Sequence, residues 1–170
     1  MRHIYSTVAF AFVALVFADY QTVNNDIGNI STLVTALDND AKAVTSGVAG
    51  LPGALQVEVD AVALDKTILT GLNDAQGSAA FGATGSLTIG LSLIALAPKI
   101  TQTLNDVAAQ NETFGELGII VLSSLYQLKQ DTDAFSAAVV AKLDPLEAAL
   151  APSIVGSIDA AFESAIAAYK

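Results

Sequence analysis

From residue 23 onward, apolar side chains return every three or four positions. Val23, Ile27, Ile30, Val34, Leu37, Ala41, Val44 and Val48 fall within a narrow arc at 100° per residue, with Thr32, Asn39, Asp40 and Ala43 facing away. The spacing predicts a long amphipathic helix that stops at the breakers between residues 47 and 53, where VAGLPG carries both glycine and proline. A second helix is predicted over 52–76, with Pro52 in its first turn. It has two apolar stripes. Leu51, Ala54, Val57, Ala61, Leu64, Ile68 and Leu72 form one, and Leu55, Val59, Val62 and Leu69 the other. Two stripes predict a helix with two packing neighbours.

The next segment is unusual. No charge occurs between Asp74 and Lys99, and GSAAFGATGS (77–86) reads as a small-residue linker. Residues 87–97 are then apolar nearly all round. Leu87, Leu91 and Ile94 cluster on one side, Ile89, Leu93 and Leu96 on the other, and Pro98 is expected to kink or divide the helix. A fourth helix is predicted over 113–143. Leu117, Val121, Leu125, Leu128, Thr132, Phe135 and Val139 make its core stripe, and its first half is widened by Ile119, Leu122 and Tyr126 on one flank and Ile120 on another. Asp144-Pro145 ends it. The last helix runs to residue 169, with Ile154, Ile158, Phe162, Ala165, Ile166 and Tyr169 inward and Pro152 at a short first turn. No strand periodicity competes. The predicted fold is an all-α helical bundle of four long helices, with a fifth where the prolines divide the chain.

The first eighteen residues break this pattern. Arg2 and His3 precede an apolar run, VAFAFVALVF (8–17), and Val16 and Ala18 stand at the −3 and −1 positions of a cleavage site. Residues 1–18 therefore read as a secretory signal peptide, and 19–170 as one helical domain. The run is too short to span a bilayer, as is 87–97, so no transmembrane segment is expected. Asn29-Ile30-Ser31 and Asn111-Glu112-Thr113 are glycosylation acceptors in a eukaryotic host.

Composition then narrows the chemistry. Hydrophobic residues make up 53% of 170, and seventeen acids face seven bases for a net charge of −10. Such a surface repels nucleic acid and anionic headgroups. Removal of 1–18 takes away the one His and the one Arg, and the chain has no Cys. Nucleophile–histidine catalysis is then impossible, and zinc lacks its preferred ligands. Asp38-Asn39-Asp40 and Asp131-Thr132-Asp133 lie within helical periodicity and lack the glycine and closing glutamate of a calcium loop. No metal, no cofactor and no enzymatic activity are expected.

GIIVLSSLYQLKQDTDAFSAAVVAKL (118–143) and PLEAALAPSIVGSIDAAFESAIAAYK (145–170) resemble the fungal hydrophobic surface-binding protein A family, which includes cell wall galactomannoproteins. DIGNISTLVTALDNDAKAV (26–44) and SLTIGLSLIALAPKITQTLNDV (86–107) resemble its opening and middle helices. The resemblance implies a secreted or cell wall protein without catalytic residues. It implies partners of two kinds: a fatty acid enclosed between helices, or a hydrophobic surface to which polyester- or lipid-degrading hydrolases are recruited. A structural wall mannoprotein is the remaining alternative. The turn AAQNETFGE (108–116) lacks the lysines that family members often carry there, which weakens charge-based recruitment.

Two segments carry more apolar width than a bundle interior requires, 87–97 and 119–126. Facing each other they would wall a cavity; packed solid they would be ordinary core. The expected lipid-binding residues are Leu87, Leu91, Ser92, Ile94, Ile119, Leu122, Ser124, Leu125 and Tyr126. Ser124, about 60° from the centre of the core stripe, is the first choice for an inward hydroxyl to meet a headgroup, and Ser92 the second.

Overall fold

The computed structural model of the protein describes residues 19–170; the predicted leader, residues 1–18, lies outside the described residues. Five long helices carry the fold: α1 (Tyr20–Ala43), α2 (Leu51–Gly77), α3 (Gly82–Ala109), α4 (Gly118–Val140) and α5 (Ala151–Ala168). No strand occurs among the described residues.

The periodic stripes become the core. Val23, Ile27, Ile30, Val34, Leu37 and Ala41 are all buried along α1, as are Val57, Ala61, Leu64 and Ile68 along α2. Asp19 caps α1, its carboxylate accepting from the Thr22 amide at 3.0 Å, and this bond holds the carboxyl below its usual pKa. Pro52 and Pro152 stand in the first turns of α2 and α5, where a missing N–H costs nothing.

Two boundaries differ from expectation. Helix α3 starts at Gly82, so the last residues of the small-residue linker are helical, and it continues undivided through Pro98. The segment expected to open the fourth helix instead forms a single turn, Asn111–Phe114, and a 3₁₀ turn, Gly115–Leu117, before α4 begins. Gly115 has φ 51°, a left-handed conformation that interrupts helix propagation.

The helices close into a ring. Helix α1 packs against α2 and α3, α2 against α4, α4 against α5, and α5 against α3. Cross-links give the directions. Ser92 donates to Asn24 at 2.7 Å and Lys99 to Ser31 at 2.8 Å, so α1 and α3 run parallel. Ser124 bonds Glu58, and the Lys142 ammonium bonds the Gln76 carbonyl, so α2 and α4 run parallel. Lys129 pairs with Asp159 while Gly118 lies against Tyr169, so α4 and α5 are antiparallel. The chain therefore alternates up and down, and α3 and α4 oppose each other across the ring in antiparallel sense. The start of α3 is stapled to the end of α4: the Phe81 amide donates to the Lys142 carbonyl at 2.9 Å, and the Asp144 amide to the Ser86 hydroxyl at 2.8 Å.

Candidate functional site: an apolar cavity inside the ring

A ring of five helices leaves more space at its axis than four can. That space is a cavity of about 370 Å³, walled by all five helices and by the segment joining α4 to α5. Ile30 and Val34 of α1, Leu64 and Ile68 of α2, and Phe135 and Phe162 of α4 and α5 form its inner surface, all of them buried. Its mouth lies between the first half of α3 and residues 143–150. There Leu87, Leu91, Ile94, Leu146 and Leu150 line the cavity and remain more than 40% exposed, Leu146 reaching 75%. These exposed leucines explain the apolar width of 87–97: one flank packs the bundle and the other lines an opening. Composition alone makes α3 and the stretch Pro145–Ala168 apolar and long enough to cross a membrane. Here much of that apolar surface lines the cavity.

Polar groups on the wall are few. Thr103 donates to the Val34 carbonyl at 3.4 Å. Thr132 and Ser136 also line the wall, from the second half of α4. Glu147 is the one charged side chain among the lining residues. It sits on the single helical turn Pro145–Ala148 and packs against Gly90 of α3, where a β-carbon would lie 3.5 Å from Glu147 Cγ, an ordinary contact distance. A cavity of this size with so little polarity offers water few partners.

Of the nine residues expected to bind lipid, Leu87, Leu91 and Ile94 line the cavity. The other six stand elsewhere. Ser92 is turned to α1, where it bonds Asn24, and Ser124 to α2, where its hydroxyl donates to the Glu58 carboxylate at 2.9 Å. Leu125 is buried in the core, Leu122 packs at its edge, and Ile119 and Tyr126 face outward, Ile119 being 74% exposed. The reason is chain direction. Because α3 and α4 are antiparallel, the start of α3 meets the end of α4, so α4 contributes Leu128, Thr132, Phe135, Ser136, Val139 and Val140 instead of 119–126. Thr132, Phe135 and Val139 belong to the predicted core stripe; nothing local in the sequence separates cavity wall from solid core. Nothing local in the sequence joins Glu147 to Gly90; only their approach in space connects them.

Outside the cavity the electrostatics are dominated by carboxyls facing carboxyls across helix interfaces. Asp26 of α1 faces Asp74 of α2, and Asp65 of α2 faces Asp131 of α4. Burial, then the neighbouring carboxyl, pushes Asp26 and Asp65 each up to about 6. Asp60, facing Asp40, and Asp133, facing Asp159, are raised for the same reasons. No grouping of three or more acids suited to a metal ion occurs among the described residues.

Residues 20–141 match the family described as hydrophobic surface binding protein A. Cell wall mannoprotein 1 of Aspergillus flavus is 28% identical over 146 residues, which cover 85% of this chain and 52% of the relative. The chain thus spans about half the length of that curated relative. Among solved structures, Afmp4p in complex with palmitic acid is similar with a TM-score of 0.85 and 28% identity, covering 89% of this chain and all of the other. Ligand binding domain 1 of the Penicillium marneffei MP1 protein, complexed with arachidonic acids, has a TM-score of 0.79 at 21% identity, covering 86% of this chain and 95% of that one. At that identity the likeness establishes the fold.

Proposed function

This chain belongs to the hydrophobic surface binding protein A family, and from that premise we propose that it is a secreted, non-enzymatic lipid-binding protein that holds a long acyl chain inside its helical ring. The observation that carries the reading is the cavity itself: some 370 Å³ walled almost entirely by hydrocarbon and opening to solvent through exposed leucines. Its volume falls within the range of small-molecule sites. The solved relative that shares the fold most fully among those described, Afmp4p, was obtained with palmitic acid.

The energetics suffice without a charged clamp. Burying about fifteen methylenes yields roughly 12 kcal/mol gross, and lost freedom of association removes about 4 or more. The net of about −8 kcal/mol corresponds to roughly micromolar affinity. Thr132 and Ser136 are the hydroxyls positioned to meet a headgroup, in place of Ser92 and Ser124, which already bridge helices.

Adsorption to hydrophobic solids is a second reading, favoured by a separate observation. Leu55, Val59 and Val62 of α2 and Ile119, Ile120 and Tyr126 of α4 are exposed on adjacent helices, and none of them lines the cavity. A secreted or cell wall location fits both readings and the mannoprotein relative. Residues 19–170 form the functional domain in this reading, Asp19 being the cap with which the first helix opens. Asn29 is exposed and suits glycan attachment, whereas the Asn111 amide already donates to the Ala168 carbonyl at 2.9 Å. Recruitment of a hydrolase would then act through the exposed α2–α4 face.

Displacement of a fluorescent fatty acid tests the main reading. Palmitate should displace one equivalent per chain with a midpoint near the micromolar range. Absence of any saturable uptake would contradict it.

A further inference from the structure

We propose that Glu147 makes the cavity select an acyl chain whose headgroup is uncharged and donates a hydrogen bond, such as a long-chain alcohol or un-ionised acid, over one that ends in an anion. The inference rests on the lipid-binding reading above and names the ligand class of that site.

An anion in an apolar cavity gives back part of what chain burial contributes unless a counter-charge or several donors meet it. This cavity has no cationic side chain among its lining residues. The lysines of the described chain are placed elsewhere. Lys42 pairs with Asp38 and Asp106, and Lys129 with Asp133 and Asp159. Lys142 holds the Ser78 and Gln76 carbonyls, Lys99 the Ser31 hydroxyl, and Lys170 stands over the Tyr126 ring. Lys66 is exposed on α2 and does not line the cavity.

At the mouth stands Glu147. The helix packed against it, α3, carries no ionisable side chain from Gly82 to Pro98, and α5 carries none before Asp159. On its own connecting segment the nearest ionisable groups are Asp144 and the engaged Lys142. No cation therefore faces the Glu147 carboxylate, and a ligand carboxylate at the mouth would meet a like charge. A ligand hydroxyl or un-ionised carboxyl can instead donate to Glu147 or to the Thr132 and Ser136 oxygens. Glu147 packs its Cγ over Gly90 of α3.

Equal-chain competition tests this on the purified protein at pH 7.5, with laurate and 1-dodecanol displacing the uncharged dye Nile red. A carboxylate costs more to desolvate than a hydroxyl in any site, so the deciding quantity is the change on substitution. Glu147→Gln keeps an acceptor and removes the charge. It should tighten laurate by about five- to tenfold, the scale of a like-charge contact in a partly wet site, and move dodecanol by less than about twofold. Glu147→Lys should tighten laurate further relative to dodecanol. If both ligands shift together, or neither shifts in either variant, Glu147 does not select the headgroup and the proposal is overturned. If neither ligand displaces the dye from the unsubstituted protein, the lipid-binding reading fails, and this inference with it. Dodecanol binding without a charge-dependent laurate response overturns the inference alone.

Discussion

At the scale of single residues, small side chains decide where helices touch and where they part. Gly71 sits where α1, α2 and α4 converge; a β-carbon there would lie 3.0 Å from the Phe135 ring and 3.3 Å from Asp26 Cβ. Gly71→Ala should cost about 1–3 kcal/mol by overpacking, read as a lower urea midpoint, whereas an unchanged midpoint would show that the interface can yield. Ala97 is the opposite case, a small buried residue on the cavity wall. Ala97→Phe should fill part of the cavity, raise stability of the empty protein by about 0.5–2 kcal/mol, and weaken palmitate binding at least about tenfold. Higher melting temperature with unchanged affinity would mean that lipid binds elsewhere. Residue chemistry was partly legible in the sequence. The half-buried flank of Ser124 follows from 100° per residue. The partner that claims Ser124, Glu58, lies 66 positions away and leaves no local signal. A separation of 57 positions likewise hid Glu147 from Gly90.

At the scale of helices, facing carboxyls set a pH dependence. Asp26 and Asp65, each raised to about 6, take up protons in the folded state that the unfolded chain, near the ordinary carboxyl value of 3.8, releases. Folding is therefore favoured below pH 4 by these groups, and the advantage disappears as pH rises through about 6. Asp60 and Asp133 act in the same direction, whereas Asp19 and Asp106 are lowered and withdraw stability only at stronger acidity. The melting temperature should be higher at pH 4.5 than at 7.5. Asp26→Asn with Asp65→Asn should flatten the difference, by on the order of 1 kcal/mol per group once solvent screening is discounted. Equal melting temperatures at the two pH values would show that the interfaces relax to separate the charges. Helix existence was well signalled at this scale: the α1 stripe from Val23 to Ala41 is the buried face. Chain direction was not. Periodicity gives the face of a helix and says nothing about which end of α3 meets which end of α4, and that is what moved the cavity from 119–126 to 128–140.

At the scale of the molecule, five helices around one axis enclose space that their own side chains do not fill, while apolar side chains of α2 and α4 that do not line it face solvent. The two surfaces are separable by experiment. Val59→Asp with Ile119→Asp should reduce depletion from solution by polystyrene particles severalfold and leave palmitate affinity within about twofold. A parallel loss of both would indicate one shared surface. The central claim, that the ring encloses a lipid, is tested most directly by native mass spectrometry of the purified protein after incubation with palmitate. A single stoichiometric adduct is expected, retained on gentle activation and absent from Ala97→Phe. Spectra showing only the bare chain, or a ladder of loosely held adducts unaffected by that substitution, would contradict it.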